Sequence, residues 1–380
     1  MSNFITEIKI EKIRHLENIN IVLGDKKKHL ILTGKNGSGK TSVLEELDSY
    51  FKLFTYSLSN ELEVEICEQS DIIQPYFNVD RNTYLEDYMG GSKNKAFDFI
   101  YSFFKAPRTI NDIDKSTHAE KIIFPKDKTA KLNTLFIRYI VGLKIERAFA
   151  KDDGELELVE KLDRWFDGFE NMLRKIFNDE SLVLKFDRNP FSYNFRIERE
   201  GREPFDFYTM SAGYSAIMDI VTELILKIEN TESKSFDCEG IVLIDEVDNH
   251  LHVELQKNIL PLLTNFFPNI QFIVTTHSPF VLSSIENSVV YDLETHIRTE
   301  NLSEASYTGL IRKYFELPSE YSTVLENKFK EFKILAKKES MTEVEEDRLI
   351  ELDIEFKNIS PLFSPEIYSS YLEIRKEFLH

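Results

Sequence analysis

The stretch Gly34-Lys35-Asn36-Gly37-Ser38-Gly39-Lys40-Thr41 constrains this chain more than any other. It has the spacing G-x-x-x-x-G-K-[ST], which needs a buried strand that turns sharply into a helix. Both flanks fit. His29-Leu30-Ile31-Leu32-Thr33 is an apolar run of strand length, and Val43, Leu44, Leu47, Phe51 and Phe54 recur at near-helical spacing behind Thr41. Glycines let successive backbone N–H groups converge on one anion. The following helix aims the positive end of its dipole at the same point. In such a loop Lys40 reaches the β- and γ-phosphates of a nucleoside triphosphate, and the Thr41 hydroxyl ligates Mg²⁺. The motif specifies a triphosphate site in an α/β fold and leaves the machine around it open.

Three later segments carry chemistry that suits the same site. Ile241-Val242-Leu243-Ile244 is a fully apolar strand, as in the centre of a parallel sheet, and it ends in Asp245-Glu246. A carboxylate at the carboxyl end of such a strand lands beside the phosphate loop, where Asp245 can hold Mg²⁺ through a coordinated water. Glu246 then stands where a carboxylate can orient and deprotonate a water. The next apolar strand, Ile270 to Val274, runs into Thr275-Thr276-His277-Ser278-Pro279 and brings His277 to that edge. Earlier, Met210-Ser211-Ala212-Gly213-Tyr214 opens a helix that extends to about Ile228. Ser211 fits the N-cap position, and the helix start offers N–H groups to an anion.

This order of motifs resembles the ABC-type ATPases of the SMC, RecF and OLD class. Gly34–Thr41 matches Walker A and Ile241–Glu246 matches Walker B. Val247-Asp248-Asn249-His250-Leu251-His252 resembles the D-loop region, and His277 the switch histidine. Met210–Tyr214 resembles the signature motif, with Ala212 for the usual glycine and Tyr214 for glutamine. Gln69 and Gln74 both stand where a Q-loop glutamine belongs, and Arg108 is a further nucleotide-proximal candidate. The resemblance covers residues 1–60 and 205–295.

It implies an ABC-type P-loop ATPase head with a mixed sheet, an inserted helical arm and a helical C-terminal region. ATP and Mg²⁺ are the implied ligands. Gly34, Lys35, Asn36, Gly37, Ser38, Gly39, Lys40 and Thr41 would hold the nucleotide, Thr41 and Asp245 the metal, and Glu246 and His277 the catalytic step. The resemblance also implies head-to-tail assembly, with Ser211 and Gly213 of one subunit capping the γ-phosphate held by another. The short form looks most like ATPases of bacterial anti-phage operons, such as the Septu, PARIS and retron-associated proteins. These act with a separate effector, often a nuclease.

The chain divides by pattern into 1–125, the first part of the head; 126–180, a helical insertion; 181–300, the second part of the head; and 301–380, a helical region. Ile8 to Ile13 alternates like a half-buried strand, Leu16 to Leu23 follows, and Gly24-Asp25 turns toward the phosphate-loop strand. Glu61 to Ile66 and Phe97 to Lys105 are strand candidates. Thr129 to Ala150 and Leu156 to Phe177 read as amphipathic helices, with Trp165, Phe166 and Phe169 as core. Leu182–Phe186 and Phe195–Arg199 read as strands, Leu251–Phe267 as a helix, and Val289–Leu293 as an edge strand. Tyr321 to Lys338 and the helix that Thr342 opens with a capping box complete the pattern. These last helices suit a packed cap and a docking surface equally.

Composition narrows the partners. Forty-seven basic against 66 acidic residues give a charge of −19, which repels nucleic acid unless a basic patch is local. Lys26-Lys27-Lys28 is the only compact basic run, and DNA or RNA contact has no other support. Cys67 and Cys238 give neither a disulfide framework nor metal spacing, which suits a reducing cytoplasm. No run of about 18 apolar residues suggests a membrane span. Two readings remain: an ATP-driven sensor or scaffold for a separate nuclease effector, and a RecF- or SMC-like DNA-maintenance ATPase. A self-contained nuclease is disfavoured, because its acidic cluster would rest on Tyr291-Asp292-Leu293-Glu294 alone. A transporter ATPase is disfavoured by the middle insertion.

Overall fold

The computed structural model describes residues 4–59, 72–78, 99–106, 132–189, 192–229, 231, 236, 238–314, 321–338, 340–361 and 364–378. Glu61–Ile66, Cys67, Gln69 and Arg108 lie outside these residues. The chain divides into two compact units, Met1–Tyr307 and Thr308–His380.

The first unit is built on β3 (His29–Thr33), whose five residues are all buried. Their apolar side chains are covered on both faces, as the uninterrupted hydrophobic run requires. The sheet has the order β12-β11-β3-β10-β9-β5, from Arg298–Glu300, Ser288–Asp292, β3, Ile270–Thr275, Glu239–Ile244 and Phe99–Phe104. Every pairing is parallel except β11 with β12. The carboxyl ends of β11, β3, β10 and β9 therefore share one edge. Val289–Leu293 is not at the margin as its pattern suggested. The three-residue β12 covers β11 and is too short to leave a periodic signal.

β1 (Ile5–Ile13), β2 (Leu16–Val22) and β4 (Ile73–Phe77) form a separate antiparallel sheet. Its inward residues, among them Ile8, Ile10 and Ile21, share one core with Leu44, Leu47 and Phe51 of α1 (Lys40–Ser59) and with Leu243 and Ile273 of the central strands. That core fixes the helix behind the phosphate loop.

Helices α2 (Leu132–Asp152) and α3 (Leu156–Phe177) form the expected hairpin. It does not project as an arm. α2 lies against α4 (Ala212–Glu229), and α3 lies against α5 (Val253–Phe266). Phe166 and Phe169 are buried, and Trp165 stacks on Phe169. Arg147 clamps Asp163 across the hairpin through Nε and Nη2, one edge of its guanidinium. Strands β6 (Val183–Asn189), β7 (Ser192–Arg199) and β8 (Arg202–Asp206) follow α3 as an antiparallel meander, and the short helices α6 (Pro279–Leu282) and α7 (Tyr307–Tyr314) come after α5.

In the second unit, α8 (Thr323–Ala336), α9 (Glu343–Lys357) and α10 (Pro365–Phe378) pack around Phe332, Leu352, Phe356 and Tyr371. The capping box is present: Thr342 accepts from the Glu345 N–H, and the Glu345 carboxylate accepts from the Thr342 N–H. Helix α10 escaped the sequence reading because only Ile367 and Tyr371 are buried along it.

His29 links this packing to pH. It is 5% exposed, and its Nδ1 accepts from the Phe272 N–H at 3.0 Å. Burial, helped by the charge of Lys27, lowers its pKa from 6.5 to about 3. The unfolded chain therefore binds more protons between those values, and stability is full above about pH 6.5. Below it the folding free energy falls by about 1.4 kcal/mol per pH unit from this group. Urea unfolding across that range should show the slope in the native chain and lose it in His29→Asn.

Candidate nucleotide site

The phosphate loop leaves β3 through Gly34, whose φ of +133° suits glycine alone. A Cβ there would meet Ser38 Oγ at 2.7 Å and Asp292 Oδ1 at 3.2 Å. At Gly39, with φ +94°, a Cβ would meet Leu16 Cδ1 at 2.8 Å, so the loop is pressed onto the start of β2. Lys35, Asn36 and Gly37 form the exposed tip. Lys40 is 7% exposed, and its Nζ donates to the Gly34 and Lys35 carbonyls at 2.9 Å each. Burial lowers its pKa, and the carboxylates of Asp245, Glu246, Asp292 and Asp248 oppose that fall. The Ser38 hydroxyl is buried within the loop and has no protein partner. An unsatisfied donor inside an N–H-lined turn fits a phosphate oxygen.

Asp245 ends β9 directly across from α1. The Thr41 hydroxyl donates to its Oδ2 at 3.0 Å and lies 3.2 Å from Oδ1. Thr275 at the end of β10 donates to the same Oδ1 at 2.6 Å, and the Glu246 N–H donates to Thr275 Oγ1 at 2.7 Å. This chain of bonds ties two strand ends to the start of α1. A hydroxyl and a carboxylate, with room left for water and phosphate oxygens, form the sparse oxygen set that Mg²⁺ takes in triphosphate sites. Among the described residues no three-residue His, Cys, Asp or Glu cluster suits a metal.

Glu246 is only half-buried and has φ +45°, a left-handed conformation that costs a non-glycine residue about 1 kcal/mol. Asn249 Nδ2 lies 3.4 Å from its carboxylate. His277 is half-buried beside the same group. Burial and then the charge of Lys40 lower its pKa, against the pull of Asp248, Glu246 and Asp245. A neutral imidazole at pH 7 can donate a hydrogen bond without repelling Lys40. Thr276 donates to Asp248, and Ser278 donates to Gln256, so the histidine turn is fastened to the segment after Glu246.

The Ser-Ala-Gly turn starts α4. Ser211 is exposed, and its carbonyl accepts from the Ser215 N–H at 2.9 Å. Gly213 is buried instead. A Cβ on it would stand 3.1 Å from the His250 carbonyl, so its small size serves packing within the subunit. Tyr214 stacks on Phe177 with centroids 4.1 Å apart, which accounts for an aromatic where the resemblance expects glutamine. Gln74 lies in β4 of the antiparallel sheet, paired with Lys9, and accepts from the Tyr76 hydroxyl. Thr275 and Asp292 are the site residues that sequence reasoning missed. Each was quoted within a motif, but only strand order reveals that both flank β3.

Comparison with known proteins gives the following similarities. The family described as "AAA domain, putative AbiEii toxin, Type IV TA system" matches residues 136–283. The Septu protein PtuA of Bacillus mycoides is 25% identical over 80% of this chain and 42% of its own. The "Retron Ec83 probable ATPase" of Escherichia coli is 31% identical over 37% of this chain and 29% of its own. The chain is similar in sequence to these Septu and retron proteins over the stated parts of its length. It spans less than half the length of either relative. The SMC head domain from Thermotoga maritima aligns over 76% of this chain and 94% of itself, at 13% identity and a TM-score of 0.37.

Proposed function

We propose that this ATPase binds and hydrolyses ATP with Mg²⁺ at a site completed by a second copy, and so acts as a sensor or scaffold for a separate effector in anti-phage defence. The contact between Thr41 and Asp245 at 3.0 Å carries the first half of that reading, because it joins two distant motifs into one metal-ready pair.

In this reading the loop N–H groups, Ser38 and Lys40 bind the phosphates. Thr41 and Asp245 hold Mg²⁺, which supplies charge neutralisation on the phosphate oxygens. Glu246 orients a water and takes its proton, and neutral His277 donates to the γ-phosphate. The exposed Ser211 at the start of α4 faces outward, where a neighbour's nucleotide can reach it. Gly213 contributes by letting α4 sit tightly against residue 250.

The effector assignment rests on the homologous Septu and retron proteins, and a nuclease encoded nearby is the candidate partner. A charge of −19 favours a protein partner over direct DNA maintenance. Among the described residues no helix is long and apolar enough to cross a membrane, and the reading places the chain in the cytoplasm.

Mixing variants tests the composite site. Lys40→Ala and Ser211→Arg should each be inactive alone. Mixed in equal amounts, they should recover about a quarter of the native rate, because half the head-to-tail pairs regain one of two sites. An active Ser211→Arg chain, or no recovery on mixing, contradicts the shared site.

A further inference from the structure

Asp292 lies outside every role assigned above, yet its carboxylate stands beside the start of the phosphate loop. It ends β11, which runs parallel to β3 and pairs Asp292 with Thr33, the residue before Gly34. The Leu293 N–H donates to the Thr33 carbonyl at 3.0 Å, locking the two strand ends together. Its side chain is 3% exposed. Oδ1 accepts from the Glu294 N–H at 2.8 Å, which fixes the turn that leads toward β12, and it stands 3.2 Å from where a Gly34 Cβ would be.

A carboxylate buried there is unusual company for a phosphate site. Asp245 serves the metal from β9, two strands away on the other side of β3. Asp292 approaches from the opposite flank, where the loop begins. We propose that Asp292 is a positioning residue that weakens nucleotide affinity: its charge competes with the phosphates for Lys40 and opposes their charge through a low-dielectric wall. The inference rests on the nucleotide reading given above.

Geometry supports the direction of this effect. Lys40 Nζ is already drawn back onto the Gly34 carbonyl, the residue against which Asp292 is seated. The attraction between Lys40 and Asp292 adds to this placement. Phosphate must pull the ammonium away from that corner, and a fixed negative charge behind it raises the cost. The result is a site that releases ADP readily, and whose occupancy follows the ATP supply.

Asp292→Asn separates this role from a structural one. Asparagine keeps the acceptor for the Glu294 N–H and the shape of the turn, and removes only the charge. For both ATP and ADP the expected Kd falls about three- to ten-fold. The KM for ATP should fall with it, while kcat changes by less than about two-fold if it changes at all. Asp292→Ala, which also loses the turn acceptor, serves as the control and should lower the melting temperature where Asp292→Asn does not. An unchanged or weaker affinity in Asp292→Asn, in a chain with native melting behaviour, overturns the proposal. Native protein that fails to bind either nucleotide would instead overturn the nucleotide reading, so the two failures are distinguishable.

Discussion

Glu246→Gln should lower the ATP hydrolysis rate by about 10² to 10⁴-fold while leaving ATP affinity near native. The substitution is isosteric. It keeps the left-handed backbone at φ +45°, the N–H bond to Thr275 and the proximity of Asn249, so the local fold has no reason to change. What it removes is a carboxylate able to accept a proton at neutral pH. Since Asp245 is already engaged by Thr41 and Thr275, it cannot take over that task. Trapped ATP should also hold paired subunits together, so light scattering should show a larger species with ATP than the native chain gives. Phosphate release at the native rate would remove Glu246 from the mechanism.

Gly240→Ala should cost about 3 kcal/mol or more of stability, the largest effect expected of a single methyl group in this fold. A Cβ at this position would stand 2.3 Å from the Ile100 carbonyl and 2.8 Å from Ile100 Cβ. Ile100 and Gly240 are register partners in β5 and β9, so relief requires the strands to part. The consequence reaches the site. The Asp245 N–H donates to the Phe104 carbonyl at 2.8 Å, at the end of that same pairing. A displaced β5 therefore loosens the carboxylate that faces Thr41. Denaturant unfolding should show the loss, and hydrolysis should fall with it. A midpoint within a few tenths of molar of native would mean that the strands accommodate the methyl group.

The central strands and the phosphate loop were legible because each is a short, uninterrupted apolar run closed by a distinctive turn. His29–Thr33, Ile241–Ile244 and Ile270–Val274 needed no tertiary information to be read as buried strands. Asp245, Glu246 and His277 could be named because they follow those runs directly. Strand order was not readable, since nothing local says that β10 lies between β3 and β9. That order is what brings Thr275 onto Asp245 and Asp292 onto Gly34. The hairpin of α2 and α3 was visible as two helices, but its docking on α4 and α5 depends on contacts far apart in sequence. At Gly213 the fold adds a packing constraint, set by the His250 carbonyl, that the local sequence does not report. The short β12 and the sparsely buried α10 carry too few inward residues for periodicity to report them.

The account stands on nucleotide held at Gly34–Thr41, and one titration addresses it most directly. Calorimetric titration of a slowly hydrolysed ATP analogue with Mg²⁺ into native protein and into Lys40→Ala compares the loop with and without the buried Lys40 ammonium. The hydrogen bonds of the Lys40 ammonium go to two carbonyls of its own loop, so the variant should fold normally. Native protein should bind, and Lys40→Ala should lose at least about ten-fold in affinity, in line with the removal of a charge-assisted contact. Equal affinity in the two proteins would contradict the assignment of this loop as the nucleotide site.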